Sequence, residues 1–490
     1  MHCGYVVKVT ELRKHSNADR LQVATFFGND TIVDLSVKEG DIGVYFPVDL
    51  QLSEEYCAQN NLVRKKDENG NNIGGFLDPD KRNIKAIKLR GEKSDGLFMP
   101  ITSFAYCYDV DLKAEEGKEV EPFAKRMLTH VNIGGQITIL NGHEICKKYI
   151  PKRQNRTGSY STGNHTRKTK VPYSPLFAEH ADTEQLAYNH GAFKAGDEVE
   201  ITLKMHGTSQ RTGYLPVLKE YKDSFLCCVV NKIQHIINKI VGQTVYEDLH
   251  NGEPVYEYDY VSGTRRVVME DFEGSNSFYG SNEFREQHHN AFVGKLNKGE
   301  TVYYEVVGFT HTGVPIMADG SNKGLDKEFI KMYGETTRFS YGCSPDGRKT
   351  MYGQDDRGPF EIAVDSPQSD LYVYRMTMTN EDGFVVDYTP DFMRYRCEQM
   401  GVKTVQVFEK FTIPADCKDP GQYVQDKAEK YYDGPDPVGK THIREGVVCR
   451  ILNRPKFAAF KHKNFSFKCV EGLIKDTAAS PDLEEDQEVT

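Results

Sequence analysis

Between Lys147 and Lys170 the chain runs KKYIPKRQNRTGSYSTGNHTRKTK, a stretch with eight Lys or Arg, no acid, and Ser, Thr, Gly and Asn among the cations. It reads as a basic, flexible linker, and it divides the chain into two folding regions. Ahead of it, YVVKV, LQVATFF, TIVDL, IGVYFPV, IKAIKL and LFMP are short segments rich in Val, Ile, Phe and Tyr, separated by Gly, Asn and Asp clusters. That pattern predicts a small β barrel or sandwich. Behind it, from about Val171 to Lys475, strand patterns alternate with a few helical ones. The expected division is a β module over residues 1–135, a linker over 136–175, a mixed domain over 176–475 and a disordered tail over 476–490. The tail carries six acids from Asp476 to Glu488 and no base.

A length of 490 residues allows two or three domains with a sizeable core and excludes a small disulfide scaffold. The eleven cysteines contain no C-x-x-C pair, which points away from a zinc ribbon and toward free thiols in a reducing compartment. No signal peptide pattern and no membrane-length apolar run is present, so the expectation is a cytoplasmic protein that does not span a membrane. The formal charge of −10 excludes a uniformly basic nucleic-acid coat but not a local basic cleft. FLCCVVNKIQHIINKIVG, from Phe225 to Gly242, spaces Ile233, Ile236, Ile237, Ile240 and Val241 as the apolar stripe of a helix. Packing on the protein's own surface is the expected use of that stripe, with membrane or partner docking as the other reading. His288-His289 reads as an exposed helix face, and DENGNN from Asp67 as a turn lacking the terminal Glu of an EF-hand.

The strongest chemical signal is KMHGTS, Lys204 to Ser209, following the β segment VEITL. A lysine at a strand end, with Gly207 three residues on so that backbone can approach a phosphate, suits an amine that attacks an activated phosphorus atom. At an ordinary lysine pKa of ~10.4 the amine is almost wholly protonated, so such a site needs help from its surroundings or a metal ion. Companions follow in order: Glu305 in VYYEVVGF, Glu445 in REGVVCRI, and Lys461 with Lys463 in FAAFKHKNFSFK, where alternate strand residues share a face. Two carboxylates and three lysines suit a nucleoside triphosphate and its divalent metal. The G-x-x-x-x-G-K-S/T and G-x-G-x-x-G patterns are absent, which argues against P-loop and Rossmann chemistry.

The order K-x-x-G, E-V-V-G, E-G-V-V, K-x-K resembles the covalent nucleotidyltransferases, the superfamily of RNA ligases, DNA ligases and mRNA capping enzymes. KMHGTS is similar to the RNA ligase branch rather than to the K-x-D-G-x-R of DNA ligases and capping enzymes. LYVYRMTMTNEDG, RFSYGC, and the N-terminal KHSNADRLQVATFFG and IKAIKLRGEKSDGLFMP resemble RNA ligases that carry an OB module ahead of the catalytic domain. The resemblance implies an α+β fold: an N-terminal OB-type β barrel, then a mixed α/β, ATP-grasp-like nucleotidyltransferase domain. It implies an ATP-dependent RNA ligase using Mg²⁺ or Mn²⁺ and acting on RNA or an RNA-containing duplex with 3′-OH and 5′-phosphate ends. The implied roles are Lys204 as the adenylylated nucleophile, His206, Gly207 and Ser209 in the nucleotide site, and Arg265 or Arg266 on the ribose. Glu305 would reach the ribose or a water, Tyr374 or Tyr372 would stack on adenine, Glu445 would help bind metal, and Lys461 and Lys463 would hold the α phosphate. A GTP-dependent capping-type transferase and a nucleic-acid-binding protein with a decayed transferase domain are the rival readings.

Overall fold

The computed structural model describes residues 2–66, 68, 72–108, 120–150, 171–241, 249–272, 279, 281–323, 325, 327–355 and 358–476. The centre of the basic run, the acidic tail beyond residue 476 and most of the Asp67 turn lie outside the described residues.

Alternating apolar and polar residues build two sheets that share one seam, antiparallel except where Glu184–Gln185 pairs parallel with Ala459–Lys463. Glu198–Lys204 lies within a five-stranded sheet, between Gly446–Ile451 and Val407–Thr412, with Ala459–Lys463 and Glu184–Gln185 beyond. Thr208–Tyr221 lies in a six-stranded sheet, between Pro254–Gly263 and Glu300–Gly308, with Ser369–Thr379 next to the latter. Only Met205, His206 and Gly207 separate these two strands, so the chain crosses from sheet to sheet at the predicted nucleophile. Leu203, Met205, Val306, Val373, Met393 and Phe467 belong to one core under that crossing. Removing such side chains from water is the main favourable term holding the sheets together, roughly 1.5–3 kcal/mol for each one fully buried.

Helices close the ends of these sheets. Pro390–Met400 starts with the Thr389 side chain accepting from the Phe392 N–H, takes proline in its first turn and stops at Gly401, whose φ of 70° ends the helix in a left-handed turn. The helix Phe465–Asp476 follows Lys463 directly and lays Phe467 and Val470 in the core. His288 and His289, predicted to be exposed, are buried in the helix Glu283–Asn290, where they bond Ser369 and Thr212 at 2.8 and 3.2 Å. Burial lowers both imidazoles to a pKa of about 4, which makes them neutral core residues.

In the N-terminal unit the described residues do not show the expected closed barrel. Its largest sheet has four strands, Leu97–Pro100, Ile42–Phe46, Gly4–Lys8 and Gln136–Ile137, beside a three-stranded sheet over Leu12–Lys14, Leu21–Phe26 and Asn29–Asp34. The strand pairings among the described residues close no barrel. A barrel has one interior, but here both faces of the central sheet are buried: Val6, Val44 and Phe46 enter one core, while Tyr5, Val7, Tyr45 and Phe98 enter another. The unit also runs past residue 135, because Gln136–Ile137 pairs with Gly4–Tyr5 and Cys146–Lys148 pairs with Leu50–Leu52. Tyr5 stacks on Tyr188 at 4.7 Å, Lys468 pairs with Asp95, and Ala86 packs with Phe465 and Cys469, so the unit is seated on the sheets behind it.

All eleven cysteines are free thiols. Among the described residues no helix is long and apolar enough to cross a membrane. The helix Phe225–Val241 forms as its periodicity predicts, but its apolar side chains stand in solvent instead of packing on the protein's own surface.

Candidate active site

Lys204 ends its strand opposite Gly446, which brings its ammonium beside the preceding residue, Glu445. Lys204 Nζ stands 2.7 Å from Glu445 Oε1. Lys463 Nζ reaches the same oxygen at 3.3 Å and both oxygens of Glu471 at 3.1 and 3.0 Å. Burial alone would raise the Glu445 carboxyl, but Lys204, Lys463 and His206 outweigh it and hold it below the ordinary glutamate range. Glu445 is therefore an anion inside the protein, stabilised by two ammonium groups. Its other oxygen, Oε2, is buried without a hydrogen-bond partner.

The sequence suggests that Gly207 lets backbone approach a phosphate, and the structure shows a nearer reason for glycine. A Cβ there would stand 2.3 Å from the Val306 carbonyl oxygen, because the crossing chain presses against the neighbouring strand. Its N–H donates to Glu305 Oε1 at 3.0 Å, so the turn itself holds that carboxyl in place. Burial pushes the Glu305 pKa up to about 8, with Lys204 opposing that rise and Glu445 adding to it. The site thus holds two carboxyls of opposite tendency, one an anion paired to lysine and one that keeps its proton near neutral pH. His206 does not line the cleft: its ring lies edge-on to Phe339 and Phe467 with Nδ1 3.8 Å from Glu445 Oε2, its backbone N–H donates to the Tyr341 hydroxyl at 2.7 Å, and burial lowers the imidazole to about 4. It braces the crossing.

The cleft beside Lys204 has an empty volume of about 1260 Å³, its open mouth included, and is lined by Gly207, Ser209, Arg265, Glu305, Tyr374 and Lys461 among others. Tyr374 bonds Ser209 Oγ through its hydroxyl at 2.9 Å. Tyr372 lies elsewhere, buried, with its hydroxyl on Asp370. The register between Glu300–Gly308 and Ser369–Thr379 slips at this point: Tyr304 pairs with Val373 and Tyr303 with Arg375, so Tyr374 has no partner across the strand. Such a bulge re-aims a side chain, and bulges concentrate beside active sites. Arg265 lines the cleft with its guanidinium 2.7 Å from Asp182, whereas Arg266 stands 3.8 Å from the same carboxylate and does not line the cleft.

Lys204, Gly207, Ser209, Arg265, Glu305, Tyr374 and Lys461 therefore line one cleft with Glu445 and Lys463 beneath Lys204, whereas His206, Tyr372 and Arg266 do not line it. Sequence reasoning missed Glu471, His180, Asp182 and the role of Tyr341. Glu471 lies one helical turn beyond Phe467, and a single acid in an apolar-patterned helix carries no sequence signal of its partner. His180, edge-on to Tyr374 at 5.0 Å, sits in a segment without periodicity.

The overall fold matches known structures. A Naegleria gruberi RNA ligase variant with AMP and Mn matches at a TM-score of 0.50 and 15% identity, covering 96% of this chain and 98% of that one. The chain shares the fold of that RNA ligase. Structures of N. gruberi RNA ligase with PPi, and of a variant with ATP and Mn, match at a TM-score of 0.49 with 14% and 15% identity over 95% of this chain and 98% of theirs. No protein-family model and no curated protein matches the sequence. In this RNA ligase fold, the cleft lies where the two sheets meet, and the crossing at residues 205–207 sets Lys204 at its edge.

Proposed function

We propose that this protein is an ATP-dependent RNA ligase that works through a lysyl-AMP intermediate. The observation that carries the reading is Lys204 Nζ at the seam of two sheets, paired with the buried anion Glu445 at 2.7 Å and opening on a cleft lined by Ser209, Arg265, Tyr374 and Lys461. Lys204 would leave Glu445, give up its proton and attack the α phosphorus of ATP, forming an N–P bond as pyrophosphate departs. A 5′-phosphate oxygen then takes the AMP, and a 3′-hydroxyl displaces AMP to close the phosphodiester. Phosphoryl transfer of this kind depends mostly on positioning and on cations set against developing oxygen charge, which Lys461 and Lys463 supply. Tyr374 and His180 offer ring faces for a base, and Ser209 and Arg265 offer donors for a ribose.

The site also suits the divalent cation that accompanies ATP. Among the described residues no three His, Cys, Asp or Glu converge as a protein cage. A hydrated Mg²⁺ or Mn²⁺ held by one or two carboxylates and the phosphates needs no such cage. The orphaned Glu445 Oε2 is the atom that would hold it. Bound there, it would neutralise phosphate charge and take over the role of Lys204 as counter-ion to Glu445.

The N-terminal unit and the basic run would serve the polynucleotide. Replacing the Lys and Arg of residues 147–170 with Gln should then flatten the salt dependence of nick binding, by about 0.9 in log–log slope for each phosphate that is no longer neutralised.

Incubation with α-labelled ATP or GTP tests the central reading. A label from ATP that stays on the protein through denaturation, and is lost in Lys204→Ala, supports it. Label from GTP alone would make the protein a capping-type transferase, and no label from either would leave only a binding role.

A further inference from the structure

The helix Phe225–Val241 is inserted between the strands Thr208–Tyr221 and Pro254–Gly263, at the end of their ribbon away from Lys204. The first strand has 14 residues. At ~3.3 Å per residue it carries the helix about 40 Å from the cleft. Projected at about 100° per residue, every Val, Ile, Leu and Phe of the helix falls within one arc of about 160°, and every Lys, Asn, Gln, His and Cys falls in the remainder.

A surface helix ordinarily turns its apolar arc inward, and this one does the reverse. Asn231 Nδ2 donates to the Leu249 carbonyl at 2.8 Å, Asn231 Oδ1 accepts from the Leu249 N–H at 2.9 Å, and Cys227 Sγ donates to the same carbonyl at 3.0 Å. These bonds come from the polar arc, so they set the roll of the helix with its apolar arc outward. Phe225 is 84%, Ile236 60% and Ile240 79% exposed. A contiguous aliphatic face of this kind marks an interaction surface.

We propose that this face docks on an anionic lipid bilayer, the helix lying flat at the headgroup boundary with its apolar arc among the acyl chains. The helix is 17 residues long. At 1.5 Å per residue that is about 25 Å, ample to lie in the interface plane. Charge selects this occupant. Lys232 and Lys239, two turns apart, stand at one edge of the apolar arc, and the helix contains no Asp or Glu in a chain of formal charge −10. Lysines at that edge sit at headgroup level, where their stems extend along apolar surface while their ammonium groups meet lipid phosphates. A second copy packed antiparallel would set the lysine edge against itself, and in either orientation neither helix has an acid to pair it. The arc also lacks the Tyr, Trp and Arg that anchor most protein interfaces. Docked this way, the cleft stays open to solvent, far from the bilayer.

Flotation of the full chain with phosphatidylcholine vesicles containing about 30 mol% phosphatidylglycerol tests the proposal. Binding at least ~10-fold above that to pure phosphatidylcholine vesicles, and reduced in ~1 M salt, is expected. The double variant Ile236→Glu/Ile240→Glu should no longer float while keeping its thermal midpoint, since both side chains are exposed. Lys232→Gln/Lys239→Gln should lose the preference for anionic over neutral vesicles. Failure of the unaltered chain to float, or equal flotation of the isoleucine variant, overturns the proposal. So does a stable dimer that ignores vesicles and that the isoleucine variant converts to a monomer, because the face would then join two copies of the chain.

Discussion

At the seam of the two sheets, Lys204, Lys463, Glu445 and Glu471 stand largely inside the protein, while on the helix Phe225–Val241 an aliphatic face stands in water. Both placements invert the ordinary rule that charge goes out and hydrocarbon goes in. The charges are tolerated because each has an opposite charge within the same chain, at distances of 2.7–3.3 Å. Among the described residues nothing plays that part for the helix face. A self-compensated cluster is ready for a small ligand that can exchange places with one of its ions. An uncompensated face is stable only as long as it is small, and its natural complement lies outside the chain.

The comparison breaks most completely at Lys204. Lys204→Ala should abolish covalent AMP labelling, and Lys204→Arg should do so equally, because a guanidinium with pKa above ~12 keeps the charge beside Glu445 but cannot act as a nucleophile. Retained covalent AMP in either variant, measured on denatured protein, would show that the lysine serves only as a counter-ion.

Next in size are the groups around it. Glu445→Ala, Lys461→Ala and Lys463→Ala should each slow single-turnover adenylylation by at least ~100-fold, about 2.7 kcal/mol of barrier. Near-normal rates in all three would reduce the cluster to a structural ion network.

Glu305 sharpens the contrast through pH. Its pKa is about 8 in the folded chain against 4.5 for an ordinary glutamate, so between those values the folded state binds more protons than the unfolded one. Stability contributed by the protonated carboxyl is present in full below about pH 4.5 and is lost as pH rises through about 8. Glu305→Gln should remove that slope, stabilising the fold at pH 9 by on the order of 2 kcal/mol, a figure lowered for the edge of the carboxyl that reaches the cleft. Denaturant melts of both proteins at pH 5 and pH 9 check it. A parallel pH dependence would mean that Glu305 is ionised throughout.

The smallest effect belongs to the helix. Ile233→Ser and Ile236→Ser should each change the stability of the isolated chain by no more than about 0.5 kcal/mol, since neither side chain is buried. A loss of 2 kcal/mol in a chemical melt would show that the face is covered within the molecule.

Much of the cleft is legible in the amino-acid sequence. Lys204, Glu305, Glu445, Lys461 and Lys463 each lie in or beside a strand pattern, and period-two alternation tells which neighbours share a face. Alternation does not separate Tyr374 from Tyr372, which it sets on the same side, because only the pairing of Tyr303 with Arg375 reveals the bulge that leaves Tyr374 unpartnered. Nor does it separate Arg265 from Arg266, since the choice depends on Asp182, 83 residues earlier in the chain. His288 and His289 read as exposed because polar neighbours dominate their helix, yet Ser369 and Thr212 satisfy their ring nitrogens and make burial possible.

The sequence by itself determined the elements: which segments alternate as strands, that Phe225–Val241 is helical, and that a lysine ends one strand with glycine three residues on. Local sterics and hydrophobic period act over a few residues, so they can be read from a few residues. Tertiary structure alone decided how those elements face one another. It covered both sides of the N-terminal sheet, and it made Gly207 obligatory through a carbonyl about a hundred residues away. It also rolled the amphipathic helix outward, through bonds from Asn231 and Cys227 to the backbone of Leu249. A helix's pattern states which face is apolar; which way that face turns is set by whatever lies beneath it, and here a pair of backbone groups in need of hydrogen bonds lies beneath the polar side.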